Sequence, residues 1–202
     1  MTWVKVCGLT RDSDVAAAVD AGADALGFVL AQASPRCISI ERAAELMDGV
    51  PALRVLLTVD ASVDAAAAAV GRTGADGLQP YGGDAADVAA WGQANGMLVL
   101  RSLRRDAAGS WGEAAVPAGQ IPLLDSATGT DLGGTGVPLE WDDVQRPGRR
   151  FVLAGGLNPT NVATAIAALS PWGVDASSGL ESTPGVKDTA KVAAFVEEAK
   201  RQ

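Results

Sequence analysis

The chain contains no histidine, so proton transfer near neutral pH must come from a carboxylate, a thiol, a lysine or a tyrosine. One candidate is Cys7, which ends the run Val4-Lys5-Val6-Cys7. The two-residue period of a strand places Lys5 and Cys7 on one face. A thiol ordinarily titrates near about 8.5, and a nearby ammonium or a developing positive charge lowers that pKa towards a thiolate base. The alternative is that Cys7 is a small buried apolar residue, and these residues alone leave the two roles equal.

Asp125 is a second candidate, because it closes the apolar run Ile121 to Asp125 and precedes a Gly-rich loop at 126–136. A carboxylate at the end of an apolar run is poorly solvated, which raises its pKa and suits it to be a general acid. Capping of the following turn is the weaker alternative, since the loop already supplies turn residues.

Small residues follow the last two predicted strands, namely Gly155, Gly156, Ser177, Ser178 and Gly179. They let backbone N–H groups approach an anion, and barrel enzymes commonly hold phosphate in the loops after strands seven and eight. Either group alone could simply form a turn between two elements. Together, in consecutive units, they predict a phosphate site.

Arg36 and Asp175 follow or end other predicted strands. Arg36 could hold a carboxylate with two hydrogen bonds, or it could be a solvated surface residue. Asp175 could bond a substrate or cap a turn.

Short runs rich in Val, Leu and Ile alternate with Ala-rich segments of helical period, which is typical of parallel strands joined by helices. The predicted strands are Trp3 to Cys7, Ala25 to Leu30, Arg54 to Val59, Gly77 to Pro80, Met97 to Leu103, Ile121 to Asp125, Phe151 to Ala154 and Val174 to Ser177. The predicted helices are Asp12 to Ala21, Ile40 to Asp48, Val63 to Arg72, Ala85 to Ala94, Leu139 to Val144, Thr160 to Leu169 and Thr189 to Lys200. The fifth connection, Arg104 to Gly119, predicts a loop with at most a short or degraded helix, because Gly and Pro interrupt it.

We therefore expect residues 1–202 to form a single compact α/β domain, a (β/α)8 TIM barrel, smaller than the ~250 residues of an ordinary one. A doubly wound open sheet is the alternative, but the dinucleotide fingerprint GxGxxG is missing after the first strand. The segments Gly22-Ala23-Asp24, Gly74-Ala75-Asp76 and Gly173-Val174-Asp175 recur where helices should end in left-handed caps, and they suggest repeated βα units.

The charge, the apolar runs and the cysteine content of the sequence limit the classes of partner that we expect. The net charge is −8, with scattered Lys and Arg, which disfavours nucleic acid as a partner. No apolar run reaches the ~20 residues of a membrane span, and Lys5 and Cys7 interrupt the place of a signal peptide, so we expect a cytoplasmic protein without a membrane partner. Two cysteines without CxxC spacing predict free thiols and no metal site.

With its motifs in this order, the sequence resembles the phosphoribosylanthranilate isomerase family of tryptophan biosynthesis, whose members are small (β/α)8 barrels. The resemblance runs from end to end. It is carried by Lys5-Val6-Cys7-Gly8-Leu9-Thr10, Gly27-Phe28-Val29 with Ser34-Pro35-Arg36, Asp125 with Gly133-Gly134-Thr135-Gly136, Leu153-Ala154-Gly155-Gly156-Leu157-Asn158, Gly173-Val174-Asp175 with Ser177-Ser178-Gly179 and Glu181, and Pro184-Gly185-Val186-Lys187-Asp188.

The resemblance implies a cofactor-free Amadori rearrangement of a small-molecule substrate, phosphoribosylanthranilate, by a monomer or homodimer. Asp125 would protonate the furanose oxygen and Cys7 would remove the proton from sugar C2. The resemblance also implies that Arg36 binds the anthranilate carboxylate, that Asp175 binds the bridging amine, and that Lys5, Gln79, Tyr81 and Gly134 contact substrate. The loops at 155–156 and 177–179 would take the phosphate.

One departure is that strand four ends Gln79-Pro80-Tyr81-Gly82, where the family usually has Gln-Leu-His-Gly. Tyr81 can donate a hydrogen bond but carries no charge near pH 7, which puts the contribution of that position to binding in doubt. Three other functions stay open. They are the related isomerisation of histidine biosynthesis, for which Cys7 stands where Asp is wanted, a phosphate-binding barrel without catalysis, and an aldolase that uses Lys5.

Overall fold

The computed structural model describes residues 1–103, 111–112, 115–125 and 146–202. Its main strands are β1 (Trp3–Cys7), β2 (Ala25–Val29), β3 (Leu53–Val59), β4 (Gly77–Tyr81), β5 (Leu98–Leu103), β6 (Ile121–Asp125), β7 (Val152–Ala154) and β8 (Gly173–Ala176). They pair in chain order as a closed parallel barrel in which β8 returns to β1. The predicted (β/α)8 barrel is confirmed, and the open-sheet alternative is wrong.

The described helices are α1 (Asp12–Asp20), α2 (Ile40–Met47), α3 (Val63–Thr73), α4 (Ala85–Ala94), α5 (Val162–Leu169) and α6 (Thr189–Lys200). Among them, none combines the length and apolar character that crossing a membrane requires. Each predicted bound lies within two residues of the observed one. The predicted helix Leu139 to Val144 and most of the fifth connection lie outside the described residues.

The largest difference in a helix bound is at α5, which begins two residues later than predicted. The Asn158 side chain accepts hydrogen bonds from the backbone N–H and the hydroxyl of Thr160, at 2.8 and 2.6 Å. Asn161 Oδ1 in turn accepts from the Asn158 N–H at 2.8 Å. These local side-chain bonds hold residues 158–161 in a turn and delay the start of the helix.

A short antiparallel hairpin, absent from the predicted elements, separates β8 from α6. A 3-10 turn at Ser178–Leu180 leads into β9 (Glu181–Thr183) and β10 (Val186–Lys187). The Thr10 hydroxyl, in the loop after β1, donates to the Gly185 carbonyl at the tip of the hairpin, at 2.6 Å. The hairpin is thereby attached to the same end of the barrel as the loop that follows Cys7.

The barrel separates two apolar cores. Small and aliphatic side chains fill its interior, namely Ala25, Val55, Leu100, Leu123, Val152 and Ala154. A larger cluster packs between the outer face of the strands and the helices and includes Leu26, Phe28, Leu56, Leu78 and Phe195. Because side chains alternate along a strand, residues two positions beyond the interior core continue inward at the carboxyl ends of the strands.

Two of the three recurring Gly segments behave as predicted. Gly22 and Gly74 have φ of 84° and 64° just beyond α1 and α3, in the left-handed region. The following aspartates each accept from a backbone N–H of the preceding strand, Asp24 from Val4 at 2.7 Å and Asp76 from Arg54 at 2.9 Å. They therefore join neighbouring βα units.

The third segment differs, and its predicted cap is wrong. Ser170, with φ of 46°, is the left-handed residue that ends α5, whereas Gly173 already belongs to β8. A Cβ at Gly173 would lie 2.7 Å from the Trp3 ring and 2.9 Å from the Trp3 carbonyl oxygen. Glycine is therefore needed at 173 for close packing of β8 against β1, and Asp175 lies within the strand.

We predict that Gly173→Ala lowers the free energy of unfolding by about 1–3 kcal/mol, because the new methyl group overlaps backbone as well as a ring. The control is Gly71→Ala on the exposed face of α3, where a Cβ meets nothing within 4 Å. Alanine should stabilise that helix by about 0.5–1 kcal/mol. Urea unfolding of both variants measures the difference, and an unchanged or raised midpoint for Gly173→Ala contradicts the packing role.

Candidate active site

A cavity opens at the carboxyl ends of the barrel strands. It encloses about 650 Å³, including the part that is open to solvent. Its wall contains the following predicted site residues: Cys7, Arg36, Gln79, Tyr81, Asp125, Gly155, Gly156, Asp175, Ser177, Ser178 and Gly179. The structure therefore brings together residues from four strands, β1, β4, β6 and β8, and from the loops that follow β2, β7 and β8. Gly134 lies outside the described residues.

Lys5 is not part of the cavity wall, and its predicted contact with substrate stays a prediction. Its side chain is fully buried in the barrel below the cavity. Lys5 Nζ donates to Gln79 Oε1 and to Asp175 Oδ2, both at 2.9 Å. Burial alone would lower the pKa of Lys5, but Asp175 and Cys7 outweigh it and raise the pKa above its ordinary value. Lys5 is thus a buried ammonium that acts on the site through its neighbours.

Cys7 ends β1 beside Gly27 of β2, and glycine there makes room for the thiol. A Cβ at Gly27 would lie 2.6 Å from Cys7 Sγ and 3.1 Å from Lys5 Cε. Burial raises the pKa of the Cys7 thiol, and the charge of Lys5 only partly offsets the effect. Lys5 does lower the pKa of Cys7, as expected, but desolvation of the thiolate outweighs the attraction of the ammonium and the net direction is upward.

Asp125 ends β6 and is 7% exposed at the cavity. Tyr81 stands near it at the end of β4. Desolvation raises the pKa of Tyr81, and Asp125 when ionised raises it further, so the phenol stays protonated at neutral pH. Gln79 Nε2 donates to the Tyr81 hydroxyl at 2.9 Å and to Ser102 Oγ at 3.1 Å. The family's histidine position is thus occupied by a neutral hydroxyl that Gln79 holds in place.

Only one carboxylate oxygen of Asp175 accepts a hydrogen bond within the described part of the chain. Oδ2 accepts from Lys5, whereas Oδ1 is buried and has no hydrogen-bond partner among the described residues. An unpaired buried oxygen costs about 1–3 kcal/mol. A donor on a molecule in the cavity would remove that cost.

The two small-residue loops meet at the cavity. Gly155 and Gly156 have φ of 87° and 64°, and a Cβ at Gly179 would overlap the Leu157 carbonyl oxygen. Within the described part of the chain, the backbone N–H groups of Gly155, Gly156 and Ser177 donate to no protein acceptor. The first N–H groups of the 3-10 turn after Ser177 likewise lack partners within the turn. Together these N–H groups offer hydrogen-bond donors that an anion in the cavity could accept from.

Arg36 reaches the cavity from the loop between β2 and α2, where Ser34 Oγ accepts from its backbone N–H at 3.2 Å. The guanidinium is largely buried and bonds Glu181 of β9 through two nitrogens, which raises the pKa of Arg36 further above its ordinary value. Sequence reasoning missed Glu181 and Gly27 as parts of the site. The burial of the Glu181 carboxylate and the close approach of Gly27 to Cys7 are visible only in the folded structure, although both residues belong to the motifs that carry the family resemblance.

No group of three or more His, Cys, Asp or Glu side chains in the described ranges could hold a metal ion.

The family model of N-(5'-phosphoribosyl)anthranilate (PRA) isomerase matches residues 4–198. The chain belongs to this family. A phosphoribosylanthranilate isomerase from Geotalea uraniireducens (strain Rf4) is 41% identical over 204 residues, which cover 99% of each chain. The family resemblance predicted from the ordered motifs is therefore confirmed, and the chain is an isomerase.

Solved structures of phosphoribosylanthranilate isomerases have the same fold. TrpF from Jonesia denitrificans is 39% identical, with a TM-score of 0.84 over 99% of this chain and 97% of that one. A family member crystallised with reduced 1-(o-carboxyphenylamino)-1-deoxyribulose 5-phosphate is 29% identical, with a TM-score of 0.83 over all of both chains.

We predict that Cys7 titrates above the ~8.5 of an ordinary thiol and that Lys5→Met raises its pKa further, because the ammonium favours the thiolate. Ultraviolet absorbance of the thiolate against pH measures this in a Cys37→Ser background, which leaves Cys7 as the only thiol. Since the pKa is raised on folding, the associated stability is present below the ordinary thiol pKa and is lost as the pH rises through the raised value. A Cys7 pKa at or below about 8.5 contradicts the prediction.

Proposed function

We propose that the chain, acting as one barrel domain, converts N-(5'-phosphoribosyl)anthranilate to 1-(2-carboxyphenylamino)-1-deoxyribulose 5-phosphate in tryptophan biosynthesis. The observation that carries the proposal is one cavity that combines a carboxyl group, a thiol, a set of unpaired backbone N–H groups and a buried arginine. Each matches one requirement of this substrate: an acid, a base, a phosphate site and a carboxylate site. The bound product analogue in the related crystal structure supports the same substrate class.

The ring opens first. The carboxylic acid of Asp125 donates its proton to the furanose oxygen, the bond between that oxygen and C1 breaks, and the nitrogen lone pair forms the iminium at C1. General acid catalysis of this kind is worth about 10²–10⁴-fold. The hydroxyl of Tyr81 stays neutral beside Asp125, so it neither gives nor takes a proton in this step.

The iminium then activates the base. Before the iminium forms, Cys7 is a thiol, because burial raises its pKa. A positive charge that develops on the substrate adds to that of Lys5 and favours the thiolate. Cys7 then removes the proton from C2, and the electrons of the C–H bond form the enolamine as the iminium is neutralised. Tautomerisation of the enolamine gives the ketone, so that atoms and electrons balance without a cofactor.

The remaining residues hold the substrate. The N–H groups at 155–156 and 177–179 bind the phosphate, and Arg36 binds the anthranilate carboxylate. Asp175 Oδ1, which lacks a partner in the described residues, accepts from the bridging amine. Gln79 and Tyr81 line the wall of the cavity. The contact of Gly134 with substrate stays a prediction, since this residue lies outside the described ranges.

We predict that Cys7→Ala and Asp125→Asn each lower kcat at least about 100-fold, since each removes one proton-transfer group. The assay is steady-state turnover of N-(5'-phosphoribosyl)anthranilate, with circular dichroism to verify the fold. Cys37→Ser is the matched control, because Cys37 lies outside the cavity wall and should keep wild-type turnover. Wild-type turnover in either Cys7→Ala or Asp125→Asn contradicts the assigned roles.

Two further measurements separate the open alternatives. Preference of the wild-type protein for the aminoaldose of histidine biosynthesis, assayed beside phosphoribosylanthranilate, would overturn the substrate assignment. Failure of the expressed, folded protein to restore growth of a tryptophan auxotroph that lacks this isomerase would favour a binding barrel. We expect restored growth.

A further inference from the structure

Two buried residues of the hairpin surround the cavity without lining it. Glu181 begins β9 and Lys187 ends β10, at 9% and 3% exposure. Glu181 accepts from Arg36 Nε at 2.7 Å and from Arg36 Nη2 at 2.8 Å. Lys187 Nζ donates to Glu181 Oε1 at 2.8 Å. One buried carboxylate is therefore shared by two cations.

This carboxylate is ionised. Burial would raise the pKa of Glu181, but Arg36 and Lys187 outweigh it and lower the pKa. Two cations and one carboxylate leave one net positive charge beside the cavity. That excess suits an anionic group on the ligand, and Glu181 reduces the cost of burying two cations side by side.

The geometry of the ion pair leaves part of Arg36 available. Glu181 occupies the guanidinium edge formed by Nε and Nη2. A guanidinium has five N–H donors, so both of those on Nη1 and one on Nη2 stay open. Nη1 has no hydrogen-bond partner among the residues that the structure describes. The open edge can hold a second carboxylate with two hydrogen bonds.

The stem of Arg36 is also held. It lies over Gly8, where φ is 77° and a Cβ would stand 2.5 Å from Arg36 Cδ. The same Cβ would stand 2.9 Å from Ser177 Oγ. Lys187 Nζ donates to the Ser177 carbonyl oxygen at 3.0 Å. The hairpin thus fixes Arg36 and the start of the loop at 177–179 through one chain of contacts.

We propose that Glu181 is a positioning residue that makes the cavity selective for ligands with a carboxylated aryl group, by holding Arg36 in the one orientation that presents its open edge. The inference rests on the proposed function, since it deepens the recognition of the same substrate. Glu181 itself touches no reacting atom. Its removal should therefore affect recognition of the carboxylate far more than the proton-transfer steps.

The test uses a pair of ligands that differ only in the carboxylate. One is reduced 1-(o-carboxyphenylamino)-1-deoxyribulose 5-phosphate, and the other is its phenylamino analogue without the carboxylate. Isothermal titration calorimetry gives the affinity ratio for each variant. We expect wild-type protein to prefer the carboxylated ligand at least about tenfold, as one charge-assisted bidentate contact warrants.

Glu181→Gln should lose most of that preference while binding the carboxylate-free ligand within about threefold of wild type. In turnover, its KM should rise much more than its kcat falls. Glu181→Asp keeps the charge on a shorter side chain and should restore part of the preference. An Asp variant no better than the Gln variant contradicts the need for the charge.

The matched control is Asp76→Asn. Asp76 also bonds an arginine through two nitrogens, Arg54 Nε at 2.8 Å and Arg54 Nη2 at 2.9 Å, but at the opposite end of the barrel strands. Asp76→Asn should lower stability yet keep the wild-type affinity ratio and KM. This comparison separates a role in recognition from a merely structural ion pair.

The outcomes distinguish the two proposals. A wild-type affinity ratio in Glu181→Gln overturns the positioning role and leaves the proposed function standing. Wild-type protein that binds neither ligand and turns over no phosphoribosylanthranilate overturns the proposed function itself. If neither Glu181 variant folds while Asp76→Asn does, Glu181 is a structural residue and the inference fails.

Discussion

A charged ammonium inside the barrel constrains most of the site. Lys5 is fully buried, and an ion taken out of water at such a position costs on the order of several kcal/mol unless it is paired and hydrogen bonded. Asp175 supplies the opposite charge and Gln79 supplies a carbonyl oxygen. Because Gln79 must turn its oxygen to Lys5, its NH2 group is directed to Tyr81 and Ser102. One interior charge on β1 therefore orients polar side chains of three other strands, β4, β5 and β8.

The need to pair buried Lys5 divides the barrel interior into an aliphatic layer, a hydrogen-bonded layer and the cavity. Aliphatic residues such as Val55 and Leu123 fill the interior away from the cavity, where no polar group could be satisfied. Above them the Lys5 network replaces packing with hydrogen bonds, and above that network Cys7 and Asp125 reach the cavity. The smallest side chains stand where groups approach closely, as Gly27 does beside the thiol. Small volume changes at this level would displace reacting groups rather than merely loosen the core.

Much of the architecture could be predicted from the sequence, because hydrophobic periodicity defines the strands and helices and Gly or Pro residues mark where they end. The eight apolar runs and the α3 cap at Gly74 follow local rules of strand and helix formation. The hairpin at 181–187 could not be predicted, since two strands of three and two residues leave no period to detect. Gly173 was misjudged because its sequence context repeats that of a cap, whereas its conformation is set by contact with Trp3.

The sequence could predict most of the residues that line the cavity, but it could not predict their pKa shifts or ion pairs. Strand ends identified Cys7 and Asp125, and the order of motifs identified the family. Alternation correctly placed Lys5 on the face of Cys7, yet the sign of the net effect on the thiol depends on burial, which no local pattern reports. Arg36 illustrates the same limit, since its partner Glu181 is 145 residues away in the chain.

The raised pKa of Cys7 has a consequence for the durability of the protein. Thiolates, not thiols, react with peroxides and electrophiles, so a buried neutral thiol is protected from oxidation to sulfenic and sulfinic acids. A base that was permanently ionised would be exposed to such damage between turnovers. In the mechanism proposed above, Cys7 is neutral until a cation occupies the cavity, which limits the reactive form to the moments when substrate itself shields the sulfur.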